Sequence, residues 1–334
     1  MKTEKHPPIN FGKTGILLVN LGTPDSTNWW DVRRYLKEFL SDRRVIETNP
    51  LIWKVILNLF ILTLRPSKSA RAYKKIWMKE TNESPLRYFT AKQAQKLSKR
   101  ISEKDIVVDF AMRYGNPSIK SKLNFLKDKG CEHIIIFPLY PQYAAATTAT
   151  VCDEVYRNLM KMRWQPSLQI IPHYESEPLY ITALVNSIKR KILEINWKPD
   201  LILASYHGIP KSYFEKGDPY QCYCQKTTRL IKEKFNDIFI ETTFQSRFGP
   251  TEWLTPYTDK TLELLPSKGK KNILIICPGF SSDCVETLEE MAIEAKENFI
   301  KNGGQNFEVI PCLNESEDHI NLFEHLVKKY LITK

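Results

Sequence analysis

Eight short apolar runs, separated by stretches with helical periodicity, constrain the fold more than any other feature of this sequence. They lie at residues 15–20, 106–112, 133–139 and 168–172 in the first half, and at 201–205, 238–244, 272–277 and 307–311 in the second. Such runs are typical of strands buried on both faces, and strands that alternate with helices form parallel sheets. We therefore predict an α/β fold of two doubly wound domains around one cleft, each a four-stranded parallel sheet flanked by helices.

The length and composition of the chain allow two such domains. Its 334 residues are 42% hydrophobic and 26% charged, a globular profile with enough apolar side chains for two cores. We predict an N-terminal domain at 10–172 that includes an apolar lip, and a C-terminal domain at 173–312. The last helix, at 313–334, is a candidate for packing back on the first domain.

The formal net charge of +11 narrows the possible partners to nucleic acid, an anionic membrane or an acidic small molecule. The basic run at 65–75 has neither an aromatic RNA-binding signature nor zinc-finger spacing, so we expect no nucleic-acid partner. The seven cysteines are odd in number and most lie in apolar or helical runs, which favours a reducing cytoplasm without a disulfide framework. Residues 1–13 contain no apolar segment typical of a secretory signal.

An apolar helix is predicted at 51–64, LIWKVILNLFILTL, followed by a separate basic helix near 69–79. The apolar stretch has fourteen residues, including a lysine and an asparagine, whereas a membrane span needs about 20 apolar residues. We therefore expect no transmembrane segment, and two interpretations stay open. The stretch is a buried core helix, or it is a lip that faces anionic lipid, which the flanking Arg65, Lys68 and Arg71 favour.

His207 lies just beyond the predicted strand 201–205 and directly before Gly208. Ligands of α/β sheets bind at the carboxyl ends of the strands. A neutral imidazole there can bind a metal ion or accept a proton near neutral pH. The alternative is a structural histidine that caps the strand, and the residues that follow the strand at 272–277 favour the functional interpretation.

Those residues carry a row of carboxylates. Asp283 has the features of a helix N-cap, and Glu286 three residues later completes the spacing of a capping box. Asp283, Glu286, Glu290 and Glu294 follow at i, i+3, i+7 and i+11, so one helical face carries four carboxylates. Repulsion between like charges at this spacing is tolerated if cations meet them. Glu286 lies next to the end of the strand at 272–277, which should flank the strand that bears His207. The two side chains would then face each other across the cleft, and they could hold a divalent cation loosely or pass protons outward.

Loops with interleaved aromatic and polar side chains follow several strands. The segment 244–259, FQSRFGPTEWLTPYTD, is typical of a loop that lines a ligand site. The accompanying aromatic and basic residues are Tyr140, Tyr143, Trp253, Arg113 and Arg247. Together they indicate a planar, anionic and largely apolar substrate.

Six groups of motifs cover most of the chain: NLGTP (20–24), MRYGNP (112–117), PLYPQYAAATTAT (138–150), SYHGIP with KGDPY (205–220), FQSRFG with EWLTPYTD (244–259) and CPGFSSDCVETLEE (277–290). In this order they resemble the ferrochelatases, the enzymes that insert ferrous iron into a porphyrin in haem synthesis. The resemblance implies two similar Rossmann-like domains of the chelatase type with a cleft between them, in agreement with the eight predicted strands.

The resemblance also implies roles for individual residues. His207 handles the metal and Glu286 is its partner carboxylate, so both are expected to be catalytic and metal-binding. Two pyrrole protons must leave as the dication enters, and Glu290 is expected to relay them while Asp283 supports His207 or its loop. The side chains expected to contact the porphyrin are Leu21, Arg113, Tyr114, Tyr143 and Trp253.

Departures from some relatives affect the expected cofactors. Some relatives bind an iron–sulfur cluster through cysteines of a C-terminal extension, whereas this sequence stops at Lys334. Cys222 and Cys224 form a Cys-x-Cys pair with no second pair nearby, so we expect no cluster and no cofactor beyond the substrate Fe²⁺. Leu21 lies where some relatives have an iron-coordinating tyrosine, so any contact there is apolar.

The lip bears on the choice of porphyrin. We predict protoporphyrin IX and Fe²⁺ as substrates of a cytoplasmic enzyme that binds peripherally to the inner membrane, because protoporphyrin IX partitions into membranes. Coproporphyrin, with four propionates, stays in water and would need no lip. The alternatives are coproporphyrin as the substrate, insertion of another metal, and a two-lobed carrier that binds metal or porphyrin without chemistry.

Overall fold

The computed structural model describes residues 12–331 and contains two parallel sheets of four strands each. In the first sheet, β1 (Lys13–Thr23), β2 (Ile106–Gly115), β3 (Cys131–Pro138) and β4 (Ser167–Ile170) are arranged in the order β2-β1-β3-β4. In the second, β5 (Leu201–His207), β6 (Ile240–Gln245), β7 (Asn272–Ile276) and β8 (Asn306–Val309) are arranged in the order β6-β5-β7-β8. The predicted pair of similar four-stranded sheets is confirmed.

The strand order determines where a ligand can bind. In each sheet the first strand along the chain lies between the second and the third. The second strand is therefore added on one side of the first strand, and the third and fourth strands are added on its other side. Such a reversal opens a crevice at the carboxyl ends of the two central strands. In the second sheet these strands are β5, which ends at His207, and β7, whose following connection contains Glu286.

Helices connect the strands and cover the sheets. In the N-terminal half they are α1 (Trp29–Leu40), α2 (Pro50–Ile56), α3 (Leu62–Ile76), α4 (Pro85–Arg100), α5 (Ile119–Asp128) and α6 (Thr150–Leu159). In the C-terminal half they are α7 (Pro178–Glu194), α8 (Lys211–Glu215), α9 (Tyr220–Lys232), α10 (Thr258–Leu264), α11 (Lys296–Lys301) and α12 (Glu317–Lys328). The segments Leu57–Ile61, Ala145–Ala149 and Glu286–Ala295 are π-helical and run directly into α-helices.

The apolar stretch belongs to one long helix. α2, the π-helical segment Leu57–Ile61 and α3 form the continuous helix Pro50–Ile76. The prediction of two separate helices was wrong, because the helix continues through Pro66, whose side chain is buried against the core. At 27 residues this helix could cross a membrane by length and composition alone. The expectation of no transmembrane segment was based on a predicted helix of only fourteen residues.

One stripe of the long helix contacts the protein and the rest is exposed. Leu57, Leu62 and Ala70 are buried in an apolar cluster with residues of α1. Large apolar side chains elsewhere on the helix are exposed, with Leu51 at 78% and Leu64 at 74%. The interpretation as a buried core helix is therefore wrong. A helix that packs against the protein along one side is more typical of a lip on the protein surface than of a transmembrane helix.

One large hydrophobic cluster contains side chains of both sheets. Ile16 and Phe137 of the first sheet belong to the same cluster as Ile202 and Leu274 of the second. Phe323 of α12 joins this cluster, and its ring centroid lies 4.9 Å from that of Phe137. The predicted boundary at 172/173 separates the two sheets along the chain, each sheet also packs against a cluster of its own half, and α12 contacts the first sheet directly.

Candidate active site

His207 is half-buried at the crevice, where β5 ends. Its Nδ1 lies 2.7 Å from the Gly208 carbonyl oxygen, which can only accept, so this contact assigns the proton of the neutral imidazole to Nδ1. A Cβ at position 208 would lie 3.1 Å from the Trp253 ring and 3.0 Å from the Gln245 carbonyl oxygen, which explains the glycine. The local fold leaves Nε2 of His207 as a metal ligand or proton acceptor.

Gln245 connects His207 to the carboxylate row. It lies opposite His207 in the register of β5 and β6, and its carbonyl oxygen accepts a hydrogen bond from the Gly208 amide at 2.7 Å. Its buried side-chain amide donates to the carbonyl oxygen of Glu286 at 2.9 Å. Because one residue holds the backbone beside both predicted catalytic groups, the structure brings His207 and Glu286 to the same crevice.

Glu290 lies one turn beyond Glu286 and contacts the loop after β6. The Ser246 hydroxyl donates a hydrogen bond to the Glu290 carboxylate, and Ser246 has a left-handed backbone with φ 64°. Burial raises the pKa of Glu290 to about 7, with a further rise from the negative charge of Glu286 and an opposing effect of the Ser246 hydrogen bond. A carboxyl group that titrates near neutral pH can take up and release protons under working conditions.

The hydrogen-bond partners of Asp283 differ from those predicted. Its carboxylate accepts hydrogen bonds from Thr287 Oγ1 at 2.9 Å, from Asn314 Nδ2 at 2.7 Å and from the Cys312 amide at 3.2 Å. The segment after it is π-helical and begins without a side-chain cap. The predicted capping box of Asp283 and Glu286 is therefore wrong. Asp283 supports the loop after β8 and the start of the π-helical segment rather than the His207 loop.

Side chains of the N-terminal half close the crevice on the side of Glu286. Tyr35 of α1 and Tyr73 of α3 are buried, with ring centroids 6.4 Å apart. Burial and the nearby charge of Glu286 raise the pKa of the Tyr73 phenol. Lys75 of α3 forms an ion pair with Glu289 at 2.7 Å. The long helix therefore contacts the π-helical segment that carries the acidic row.

The site is open rather than a closed metal cage. Within residues 12–331, no three or more histidine, cysteine, aspartate or glutamate side chains are grouped so that they could hold a metal ion. Structural metal sites usually have four ligands. The predicted ligands, His207 and Glu286, number only two, and two ligands would suit a cation in transit.

Comparison with known proteins decides which chemistry this crevice serves. A family model described as Ferrochelatase matches residues 13–331. The chain belongs to the ferrochelatase family. Ferrochelatases of Allorhizobium ampelinum and Rhizobium meliloti are 55% and 54% identical to it, over 98% of this chain and 96% and 97% of theirs. The enzyme is therefore a metal chelatase that inserts iron into a porphyrin in haem synthesis, and the carrier alternative is excluded.

Solved structures with a similar fold are chelatases of low sequence identity. The cobalt complex of the sirohydrochlorin chelatase SirB from Bacillus subtilis subspecies spizizenii matches with a TM-score of 0.57 at 10% identity, over 95% of both chains. CbiX, the terminal enzyme of sirohaem biosynthesis in denitrifying bacteria, matches with a TM-score of 0.52 at 13% identity, over 95% of this chain and all of that one. These matches agree with the predicted chelatase-like fold.

Three of the predicted porphyrin contacts are half-buried near the strand ends that form the crevice. Leu21 is half-buried in β1 between two apolar clusters. Tyr143 is half-buried in the loop after β3, and Trp253 is half-buried beside Gly208, with its indole nitrogen donating to the Phe248 carbonyl oxygen at 3.0 Å. Their roles in binding the porphyrin remain predictions.

Arg113 and Tyr114 are not available to a ligand in this arrangement. Arg113 is buried in an ion pair with Asp42 and donates to the Thr150 carbonyl oxygen at 2.8 Å. Tyr114 is fully buried, and its hydroxyl donates to Asp42 at 3.0 Å. Both predictions as porphyrin contacts are corrected, because the charge of Arg113 is already compensated. The cluster instead anchors the loop that leads from α1 to the long helix.

A different arginine, Arg65, contacts the loop after β6. Arg247, a predicted cation for the anionic substrate, forms an ion pair with Asp259. The guanidinium of Arg65 lies 4.2 Å from the ring centroid of Phe248, and no carboxylate among residues 12–331 forms an ion pair with it. Arg65 thus joins the long helix to the loop after β6 with its charge uncompensated.

Cys222 and Cys224 do not converge. Both lie in α9, yet Cys222 is exposed and Cys224 is fully buried. Residues two apart on a helix face different sides, so the two thiols do not form a shared metal site.

Four residues beside the crevice were absent from the predicted site: Tyr35, Tyr73, Gln245 and Ser246. Gln245 and Ser246 lie in the FQSRFG motif, so the sequence contained a signal for them. Tyr35 and Tyr73 lie in helices without any local motif. Their approach to Glu286 depends on how the long helix docks, which no short-range pattern encodes.

Proposed function

We propose that the enzyme inserts Fe²⁺ into protoporphyrin IX to give protohaem, the terminal step of haem synthesis. The reaction class is that of the family, and the choice of porphyrin is our inference. One observation carries it: the long helix Pro50–Ile76 presents a large exposed apolar surface next to the crevice. A porphyrin dissolved in water would not need such a surface.

The chemistry requires a base and a path for cations and protons, because two pyrrole protons leave as the dication enters. In this proposal His207 and Glu286 are the catalytic pair and bind the incoming iron. Nε2 of His207 is the accepting atom, since Nδ1 is engaged with the Gly208 carbonyl oxygen. Glu290, with its pKa of about 7, passes protons outward. Asp283 holds the start of the π-helical segment that carries both glutamates.

The macrocycle is proposed to lie against Leu21, Tyr143 and Trp253. Leu21 offers no ligand atom for iron, so its contact is apolar. Arg65 replaces Arg113 as the cation for a propionate, because Arg65 carries an uncompensated charge at the junction of the long helix and the loop after β6. In this arrangement the apolar macrocycle lies in the crevice, and the edge that carries the propionates points toward the long helix.

Membrane contact follows from the substrate and from the helix surface. Protoporphyrin IX has two propionates and partitions into membranes. The exposed Leu51, Leu59 and Phe60 would enter the interface of an anionic bilayer, and Lys68 and Arg71 would meet its head groups. We therefore propose a cytoplasmic enzyme bound peripherally to the inner membrane, which receives its porphyrin from the lipid.

No cofactor beyond the substrate iron is part of the proposal. His207, Glu286 and Glu290 supply the ligand and proton-transfer groups that the reaction requires. Cys222 and Cys224, the pair with a spacing suited to a soft metal, lie on different sides of α9.

Turnover on the two porphyrins tests the substrate. With Fe²⁺ under anaerobic conditions and anionic liposomes present, we expect kcat/KM for protoporphyrin IX to exceed that for coproporphyrin by at least about tenfold. The same protein should co-sediment with the liposomes at low salt. A clear preference for coproporphyrin would overturn the choice of substrate, and lack of sedimentation at low salt would overturn the membrane contact.

A further inference from the structure

A buried glutamine in α4 holds the turn that leads to Glu286. Gln93 has 0% of its surface exposed. Its Nε2 lies 3.1 Å from the carbonyl oxygen and 3.3 Å from the hydroxyl of Ser281, 3.0 Å from the hydroxyl of Ser282 and 2.8 Å from the carbonyl oxygen of Asn314. One amide group of the N-terminal half therefore contacts two loops of the C-terminal half. Gln93 lies outside all six groups of sequence motifs.

Hydrogen bonds continue from these loops to the acidic row. Asn314 donates from Nδ2 to the Asp283 carboxylate at 2.7 Å and accepts from the Asp283 amide at 2.8 Å. Asp283 in turn accepts from Thr287 Oγ1 at 2.9 Å, and Thr287 is the neighbour of Glu286. Asn314 has a left-handed backbone with φ 45°, which these bonds keep fixed. The chain of contacts from Gln93 thus ends one residue from Glu286.

The same face of α4 also contacts the opposite wall of the crevice. Thr90, one helical turn before Gln93, accepts a hydrogen bond from Asn20 Nδ2 at 3.0 Å. Asn20 directly precedes Leu21, and its Oδ1 accepts from the Leu21 amide at 2.9 Å. α4 therefore connects the wall that carries Leu21 with the turn that leads to Glu286.

We propose that Gln93 is a positioning residue for iron insertion. Its buried amide fixes the turn at 281–283, and through Asn314 and Asp283 it sets the position of Glu286 relative to the Leu21 wall. The inference rests on the role proposed for Glu286. Small displacements of a catalytic group reduce the rate strongly, whereas the walls that bind the porphyrin would stay in place. A change at Gln93 should therefore affect kcat more than the KM for the porphyrin.

Gln93→Glu tests the proposal, because its effect depends on protonation. An ionised carboxylate has no donor and repels the carbonyl oxygens of Ser281 and Asn314, whereas the protonated acid keeps one donor. We expect kcat at pH 8 to fall by about tenfold, with the porphyrin KM within about twofold of wild type. The ratio of variant to wild-type kcat should rise as the pH is lowered to 6. Gln93→Met, which lacks donors at any pH, should lower kcat by a pH-independent factor.

Gln95 provides matched controls on the same helix. It is exposed, so Gln95→Glu and Gln95→Met make the same chemical changes away from the turn at 281–283 and should leave kcat unchanged. A Gln93→Glu variant with wild-type kcat at pH 8, or with a deficit that does not change with pH, would overturn the proposal. If Gln93→Glu lacks a folded near-UV spectrum, Gln93→Met decides: reduced kcat at unchanged KM supports positioning, and full kcat overturns it.

Glu286→Gln, assayed in parallel, separates this inference from the function on which it rests. Wild-type turnover by Glu286→Gln would contradict the proposed site itself. Loss of turnover in Glu286→Gln together with wild-type kcat in both Gln93 variants would contradict only the positioning role of Gln93.

Discussion

Glu290 is the residue whose ionisation should be visible in the pH dependence of the enzyme. Its pKa of about 7 lies above the ordinary glutamate value of 4.5 because the carboxyl group is buried beside Glu286. Below that pH the group is protonated and cannot accept a proton from the porphyrin. We expect kcat to rise with pH through about 7 and Glu290→Gln to lack that step. Glu294→Gln, an exposed position on the same helix, is the control, and an unchanged inflection in Glu290→Gln would contradict the assignment.

The same carboxyl group links stability to pH. Its raised pKa means that the folded protein binds the proton more tightly than the unfolded chain. The resulting stabilisation is complete below the unfolded value near 4.5 and is lost as the pH rises through about 7. The stability of Glu290→Gln relative to wild type should therefore rise between pH 5 and pH 8, by about 2 to 3 kcal/mol. Urea unfolding at both pH values measures this, and an identical difference at the two values would argue against a raised pKa.

At the scale of elements, the long helix Pro50–Ile76 has a protein-facing stripe and an exposed apolar side. Leu59 and Phe60 are 64% and 58% exposed, so glutamate at both positions should leave the fold intact. We expect the Leu59→Glu, Phe60→Glu double variant to bind anionic liposomes at least about tenfold more weakly, because it places charges in the membrane interface. Leu193→Glu, at an exposed leucine of α7, is the matched control. Unchanged sedimentation of the double variant would show that the helix does not contact the membrane.

The strands were predictable from sequence and the long helix was not. Runs such as 272–277 are short, apolar and bounded by polar turns. A run of this length that is buried on both faces is typical of a strand in a parallel sheet. The division of Pro50–Ile76 into helices at 51–64 and 69–79 is wrong because the helix continues through Pro66, which is buried. The sequence also did not reveal that the segment beginning at Glu286 is π-helical, which removed the expected capping box.

At the scale of the whole molecule, the hydrophobic cluster that contains side chains of both sheets makes the two sheets dependent on each other. Phe323 packs against Phe137 of the first sheet within a cluster that also contains Ile202 of the second. We expect one cooperative unfolding transition, with far-UV circular dichroism and tryptophan fluorescence coincident. Phe323→Ala should lower the free energy of unfolding by about 3 to 5 kcal/mol and keep the transition single. Two separate transitions in either protein would show that the sheets fold independently.

The part of the candidate site that lies in sequence motifs at strand ends was predictable. His207 ends one central strand of the second sheet and Glu286 follows the other, so parallel topology alone brings them to one crevice. The partners of charged side chains were not predictable, because an ion pair such as Arg113 with Asp42 joins residues that are distant in sequence. Gln93 was missed for the same reason, since its contacts lie about two hundred residues away along the chain.

Anaerobic iron insertion by His207→Ala and Glu286→Gln is the most direct measurement of the central claim, that these two residues handle the metal and the protons. Both side chains are only partly buried, so both variants should fold with native circular dichroism. We expect each to retain porphyrin binding, followed by quenching of tryptophan fluorescence, and to lose at least about a hundredfold in kcat for haem formation. Near wild-type turnover by both variants, with Fe²⁺ and either porphyrin, would contradict the assignment of this crevice as the active site.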